Sequence, residues 1–272
     1  MNDSPTDTEF EADARGSLRE AMGAPQKAVR HFSAYGWRGR IGLVSPSTNS
    51  TLEPEFNLMA PEGVSVHAAR VMQLGKQDDR SYRIMADGIA RASRELSTVE
   101  VDAAAFGCTS CTYFVPAREI TENIERNAGC PGIVTADAVL NALRTLGAKR
   151  VALGTPRTQY VTDREVKFLE ENGFEVVSVL GMGLGATEAE RRAIGRVPLE
   201  SIVRMAQKID RPEADAVFIS CTQLPTVPVI AEIEDMLGKP VVTSNQATFW
   251  SCLRLMGLNT PVRGFGTLLK EH

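Results

Sequence analysis

Two cysteines stand at matching places in this 272-residue chain. Ala104 to Thr112 reads AAFGCTSCT, so an apolar run that began at Val101 stops at Gly107 and gives way to Cys108, Thr109 and Ser110. Ala214 to Leu224 reads ADAVFISCTQL, and its apolar run gives way to Ser220, Cys221 and Thr222. A thiolate is a nucleophile and a thiol is an acid, so a pair of them can divide one reaction. One attacks or deprotonates a small carboxylate from one face while the other delivers a proton from the opposite face. Backbone N–H groups of Thr109, Ser110, Thr222 and Gln223 are placed to steady a thiolate or an enolate-like oxygen.

Elimination supports cysteine. The chain has 3 histidines. His31 lies by a polar N-terminal stretch, His67 falls in an expected strand, and His272 is the last residue. None suits a Cys-His or Ser-His-Asp arrangement. A single buried cysteine is usually an inert core residue, and it is the repetition of Cys-Thr that argues for chemistry. Cys108-x-x-Cys111 resembles half a zinc site or a redox pair. No second Cys/His pair accompanies it, and either reading leaves Cys221 unexplained, so no metal is expected. Cys130 and Cys252 read as structural.

The elements that must position the thiols follow from short apolar runs ending in turn residues, the mark of buried parallel strands. Strands are expected at Arg40–Val44, Val64–Ala69, Val101–Phe106 and Pro131–Thr135, and helices at Leu52 onward, Ser81–Leu96, Ala117–Asn127 and Ala136–Leu146. Ser45 to Thr51 joins the first strand to a helix opening with Leu52, Glu53 and Glu55, a good anion cradle. The pattern then restarts. Arg150–Leu153 mirrors Arg40–Leu43 and Thr155-Pro156 mirrors Ser45-Pro46, 110 residues on; Cys221 follows Cys108 by 113; Thr243 follows Thr135 by 108. Helices after the last pair end in Leu143–Gly147 and Leu253–Gly257. This is an internal duplication, hence an α/β fold with two pseudo-symmetric lobes of parallel sheet. Ligands collect at strand carboxyl ends, so the active site belongs in the cleft between lobes.

The expected boundaries are an N-terminal extension over 1–35, a first lobe over 36–148 and a second over 149–244, with a C-terminal helix over 245–272 packing back on the first. Gly181 to Ala186 superficially resembles a dinucleotide loop, but its third glycine is misplaced and no acidic residue stands near Arg204. It reads as a mobile segment at the cleft mouth, and Glu188–Arg192 as a solvated helix start. A net charge of −4 gives no reason to expect nucleic acid. No apolar run is long enough to span a membrane. Five cysteines without a secretory leader point to reduced thiols and the cytoplasm.

Pro46-Ser47-Thr48-Asn49-Ser50-Thr51-Leu52-Glu53, Cys108-Thr109-Ser110 and Ser220-Cys221-Thr222-Gln223-Leu224-Pro225 resemble the aspartate/glutamate racemase superfamily. Within it they resemble the branch of maleate cis-trans isomerases and arylmalonate decarboxylases. The resemblance covers about residues 38–260. It implies two Rossmann-like lobes, no metal, no organic cofactor, a small dicarboxylate held between the lobes, and a homodimer. It implies that Cys108 is the nucleophile that adds to a double bond, that Cys221 handles the proton, and that Asn49 binds a carboxylate. Ser47, Thr109, Ser110 and Thr222 complete the expected substrate contacts. Arylmalonate decarboxylases carry glycine in place of Cys108, so two thiols argue against simple decarboxylation. Two departures stand out. The isomerases have Thr-Pro-Tyr where this chain has Thr155-Pro156-Arg157, so either Tyr160 or Arg157 grips the second carboxylate. An asparagine expected over 188–193 is absent. Cis-trans isomerisation of maleate is the first expectation. The alternatives are a two-cysteine racemase of an amino acid or hydantoin-like compound, an arylmalonate-type decarboxylase, and a non-catalytic ligand-binding homologue.

Overall fold

The computed structural model describes residues 33–74 and 78–272. Most of the expected N-terminal extension, with His31, lies outside the described residues. The first lobe runs β1 (Gly39–Pro46), α1 (Leu52–Met59), β2 (Val64–Val71), α2 (Asp79–Asp87), α3 (Ile89–Ser97), β3 (Ala103–Phe106), α4 (Ala117–Ala128), β4 (Gly132–Val134) and α5 (Thr135–Thr145). The second runs β5 (Arg150–Arg157), α6 (Gln159–Glu171), β6 (Glu175–Leu184), α7 (Glu188–Ile194), α8 (Leu199–Ile209), β7 (Ala216–Ile219), α9 (Ile230–Leu237) and β8 (Val241–Thr243). α10 (Ser244–Leu255) and α11 (Thr267–Glu271) follow.

Each lobe holds a 4-stranded parallel sheet, ordered β2-β1-β3-β4 and β6-β5-β7-β8. The second order repeats the first, as the duplication requires. The inner strands β3 (AAAF) and β7 (AVFI) are buried along their whole length, which is why they carry no polar alternation. Register corrects one match. Phe106 pairs with Val134, and Ile219 pairs with Thr243. Thr243 is therefore the counterpart of Val134, and Ser244 takes the place of Thr135.

Helix boundaries moved where glycine sits. The single helix expected over 81–96 divides at Gly88, which packs against Val71. The C-terminal helix expected over 245–272 is two helices, because Gly257, Gly264 and Gly266 all adopt positive φ between them. α5 and α10 end alike: Gly147 and Gly257 adopt positive φ, and the next amides, Ala148 and Leu258, return to Leu143 and Leu253 carbonyls. α10 packs against α5 and α1, with Phe249 edge-on to Phe56 at 5.4 Å. It is buried on all sides from Ser244 to Leu253, and some of its polar side chains find partners inside. Thr248 donates to Ser244 O, and Gln246 to Phe265 O.

One apolar core crosses both lobes, joining Ile41, Leu43 and Phe56 to Val151, Leu153 and Phe218. A second lies on the far face of the first sheet, around Val44, Tyr82, Ile89 and Phe106. The segment expected to be mobile at 181–186 is instead largely strand: β6 continues through Leu184, shifted in register against β5 beyond Thr155. An edge strand tolerates such glycines because only one side must pair. No described helix is long and apolar enough to cross a membrane.

Candidate active site

β3 and β7 are equivalent strands of the two sheets, and each is followed by one spacer and one cysteine. The first spacer is Gly107. A Cβ there would stand 2.1 Å from Leu52 Cδ2, so glycine is needed for α1 to close on the strand end. The second spacer is Ser220, whose hydroxyl donates to Glu165 Oε1. Two hydroxyls then tie the loops together. Thr222 Oγ1 donates to the Gly107 carbonyl at 3.0 Å and accepts from Asn49 Nδ2 at 3.1 Å. Ser244 Oγ accepts from the Cys221 N–H at 2.9 Å and lies 2.9 Å from Thr109 Oγ1. Cys108 and Cys221 are thus carried on two loops in direct contact, and both are buried.

The surroundings set the protonation. Burial pushes the Cys108 thiol up to about 11, opposed by the Arg157 charge and by the Cys111 and Ser110 amides, while Cys221 adds to the rise. Those amides open the short 3-10 helix Ser110–Tyr113. Charge near a helix start favours a thiolate. Arg157 is itself buried. Burial opposes its charge, but Cys221, Tyr82, Cys108 and Glu165 hold its proton more firmly than usual. The Glu165 carboxyl is raised above the ordinary range, chiefly by burial, although Ser220, Tyr113, Arg157 and Thr155 oppose the shift. The Tyr113 hydroxyl donates to it at 2.8 Å.

Most of the residues expected at the site gather around the thiols. Asn49 is buried, its Oδ1 accepting from the Thr51 and Leu52 amides, which aims its Nδ2 at Thr222. Thr109, Ser110 and Thr222 are buried beside the cysteines. Ser47 is turned toward the end of β2, where its Oγ accepts from the Gln73 amide. Tyr160 is not part of the buried site. It is 50% exposed in the first turn of α6, and its hydroxyl accepts from Arg164. Arg157, by contrast, is buried and lies within electrostatic reach of Cys221 and Cys108. Cys111 points away, its Sγ toward Tyr82 O at 3.8 Å. All 5 cysteines are free thiols.

Three contributors escaped the sequence reading. Ser244 precedes the helix expected from 245 and has no role in the repeat as matched, which is one residue out there. Glu165 stands 110 residues after Glu55, the same offset that relates Pro46 to Pro156, so the duplication itself held the signal. Arg191 was placed in a solvated helix start. That holds for Glu188 and Arg192, an exposed i,i+4 pair. The capping box of Thr187 and Glu190 fixes the phase of α7 so that Arg191 and Ile194 turn inward together. Arg191 is 1% exposed, and its Nε, Nη1 and Nη2 have no hydrogen-bond partner among the described residues.

Two mirrored parallel-sheet lobes with a thiol from each at their junction define a class of cysteine-dependent α/β proteins. The sequence model of arylmalonate decarboxylase matches residues 41–269, and the chain belongs to that family. It is 30% identical over 249 residues to a maleate isomerase of Nocardia farcinica, covering 85% of this chain and 96% of the relative. It is 28% identical over 236 residues to an arylmalonate decarboxylase of Bordetella bronchiseptica, covering 84% and 98%. The fold superimposes on a maleate isomerase from Pseudomonas putida S16, solved with maleate, at a TM-score of 0.78 and 27% identity, over 85% of this chain and 97% of that one.

Proposed function

We propose that this protein is a cofactor-independent cis-trans isomerase of a small unsaturated dicarboxylate, converting maleate to fumarate. The observation that carries the reading is the pair of buried thiols on loops joined by Thr222 and Ser244. The Cys108 thiolate adds to one alkene carbon, and the electron pair of the double bond moves to the other. Cys221 gives that carbon a proton. The former double bond is now single, and the adduct turns about it. Cys221 takes a proton back, the carbon–sulfur bond breaks, and the trans acid leaves with Cys108 again a thiolate. The Ser110 and Cys111 amides and Arg157 favour that thiolate against the burial that opposes it. Maleate isomerases among the relatives support the choice of substrate.

The test is proton NMR of the protein incubated with maleate in deuterated buffer. Fumarate is the expected product. Exchange of deuterium into the α-carbon of an amino acid, with maleate untouched, would instead establish the two-thiol racemase.

A further inference from the structure

Two buried arginines near the thiol site have guanidinium nitrogens that lack hydrogen-bond partners among the described residues. Arg157 ends β5 and Arg191 lies on α7, so both come from the second lobe. Arg157 is 5% exposed, and its Nε and Nη1, like all three nitrogens of Arg191, lack hydrogen-bond partners among the described residues. The two guanidinium groups lie within electrostatic reach of each other and of the buried Tyr82 hydroxyl of the first lobe, and Arg157 lies within reach of both thiols. α7 closes over this region. A Cβ on Gly195, at its end, would stand 2.9 Å from Ser50 Oγ and 3.3 Å from Thr51 Oγ1, within the loop that carries Asn49.

An unpaired buried guanidinium costs several kcal/mol, so two beside each other need an anion to complete them. Glu165 does not pair with these nitrogens: its Oε1 is taken by Tyr113 and Ser220, Thr155 also bonds it, and burial favours its neutral form although Arg157 opposes that. The donors on the thiol loops, Asn49, Thr109, Ser110 and Thr222, are all uncharged. The site therefore has a neutral end and a doubly cationic end. The planar fork of arginine matches a carboxylate in two parallel hydrogen bonds.

We propose that Arg157 and Arg191 form a two-guanidinium clamp for one ionised carboxylate, which restricts the site to ligands with at least one free carboxylate and rejects the corresponding diamides. This rests on the dicarboxylate reading above but not on the isomerisation. Arg191 is then the specificity residue, carried by the helix that covers the site.

Equilibrium titration of the full chain with succinate and with succinamide tests the clamp, since neither has a double bond to react and only succinate carries a carboxylate. Succinate is expected to bind at least about 10-fold more tightly, the worth of one charge-assisted hydrogen bond. Arg191→Gln and Arg157→Gln should each bring the two affinities together by weakening succinate alone. Arg191→Lys, which keeps charge and loses the fork, should fall between. Equal affinities in the unaltered protein, or a preference that survives both glutamine variants, would overturn the clamp. A preserved succinate preference in a protein that leaves maleate unchanged would sustain the clamp and remove the isomerase reading.

Discussion

Cys108 and Cys221 occupy equivalent positions in the duplicated halves, yet the chain holds them differently. Cys108 keeps ordinary backbone geometry, its N–H returning to Phe106 O at 3.1 Å, and its sulfur faces the Ser110 and Cys111 amides. Cys221 has φ +90°, a conformation that costs a non-glycine residue about 1–3 kcal/mol and persists only when neighbours impose it. Ser244 and Thr222 impose it here. One half thus sets amide donors and the Arg157 charge against the burial that keeps its sulfur protonated, and the other carries its sulfur on a strained backbone. The duplicated halves each carry a thiol, and they differ in the spacer and in the tether that hold it.

The same contrast extends to two buried glutamates. Glu55 on α1 reaches across to the second lobe, accepting from the Val227 amide at 2.9 Å and from Asn245 Nδ2. Glu165 on α6 reaches back to Tyr113 of the first lobe. Each lobe pins the segment that follows the other lobe's cysteine. Glu165 also touches the residue before Cys221, whereas Glu55 serves the scaffold.

The sharpest way to break the comparison is to exchange each sulfur for oxygen. Cys108→Ser and Cys221→Ser should both lower turnover of maleate by about 1,000-fold or more. Only Cys221→Ser should accumulate a maleate adduct in whole-protein mass spectra, because addition is left intact and the proton step is not. Adducts in both variants, or in neither, would erase the division of labour.

Next in size is the response of the scaffold to pH. Burial raises Glu55 from 4.5 to about 7, against hydrogen bonds from Asn245 and the Val227 and Thr226 amides. The folded state holds this proton more tightly than the unfolded chain. Stability is therefore greatest below the unfolded value and is lost as pH rises through about 7. The loss is on the order of 3 kcal/mol. Chemical denaturation from pH 5 to 8 should show the decline, and Glu55→Gln should flatten it.

Backbone strain gives a smaller signal. At position 221, glycine should be more stable than alanine by about 1–2 kcal/mol, because only the alanine variant retains the cost of positive φ. At position 108 the order should reverse. Thermal unfolding of the four variants measures both differences. Thr222→Val should have the smallest effect, about 1 kcal/mol, by leaving the Gly107 carbonyl without its donor. The same substitution should slow turnover more than it lowers stability, since it loosens one loop against the other.

Strand ends, their pairing into two lobes and the two thiols were legible in the residues, because buried parallel strands are continuous apolar runs and because the repeat was written twice. Asn49 and Thr222 were legible from the motifs they sit in. Tyr160 was not separable from Arg157 by spacing alone: three residues apart at the end of β5, they diverge only when α6 begins and turns Tyr160 outward to Arg164. Arg191 was hidden because a charged helix start is ordinarily solvated, and a one-residue slip in the repeat hid Ser244.

By itself the sequence determined which residues are apolar along each strand, where the turns fall and which side chains carry sulfur. Those properties act over a few neighbouring residues. Only the tertiary structure decided which charges are stripped of water. Burial of Arg157, Arg191, Glu55 and Glu165 arises in the folded chain, and no local pattern records contacts such as those of the two glutamates, made with residues 52 to 190 positions away.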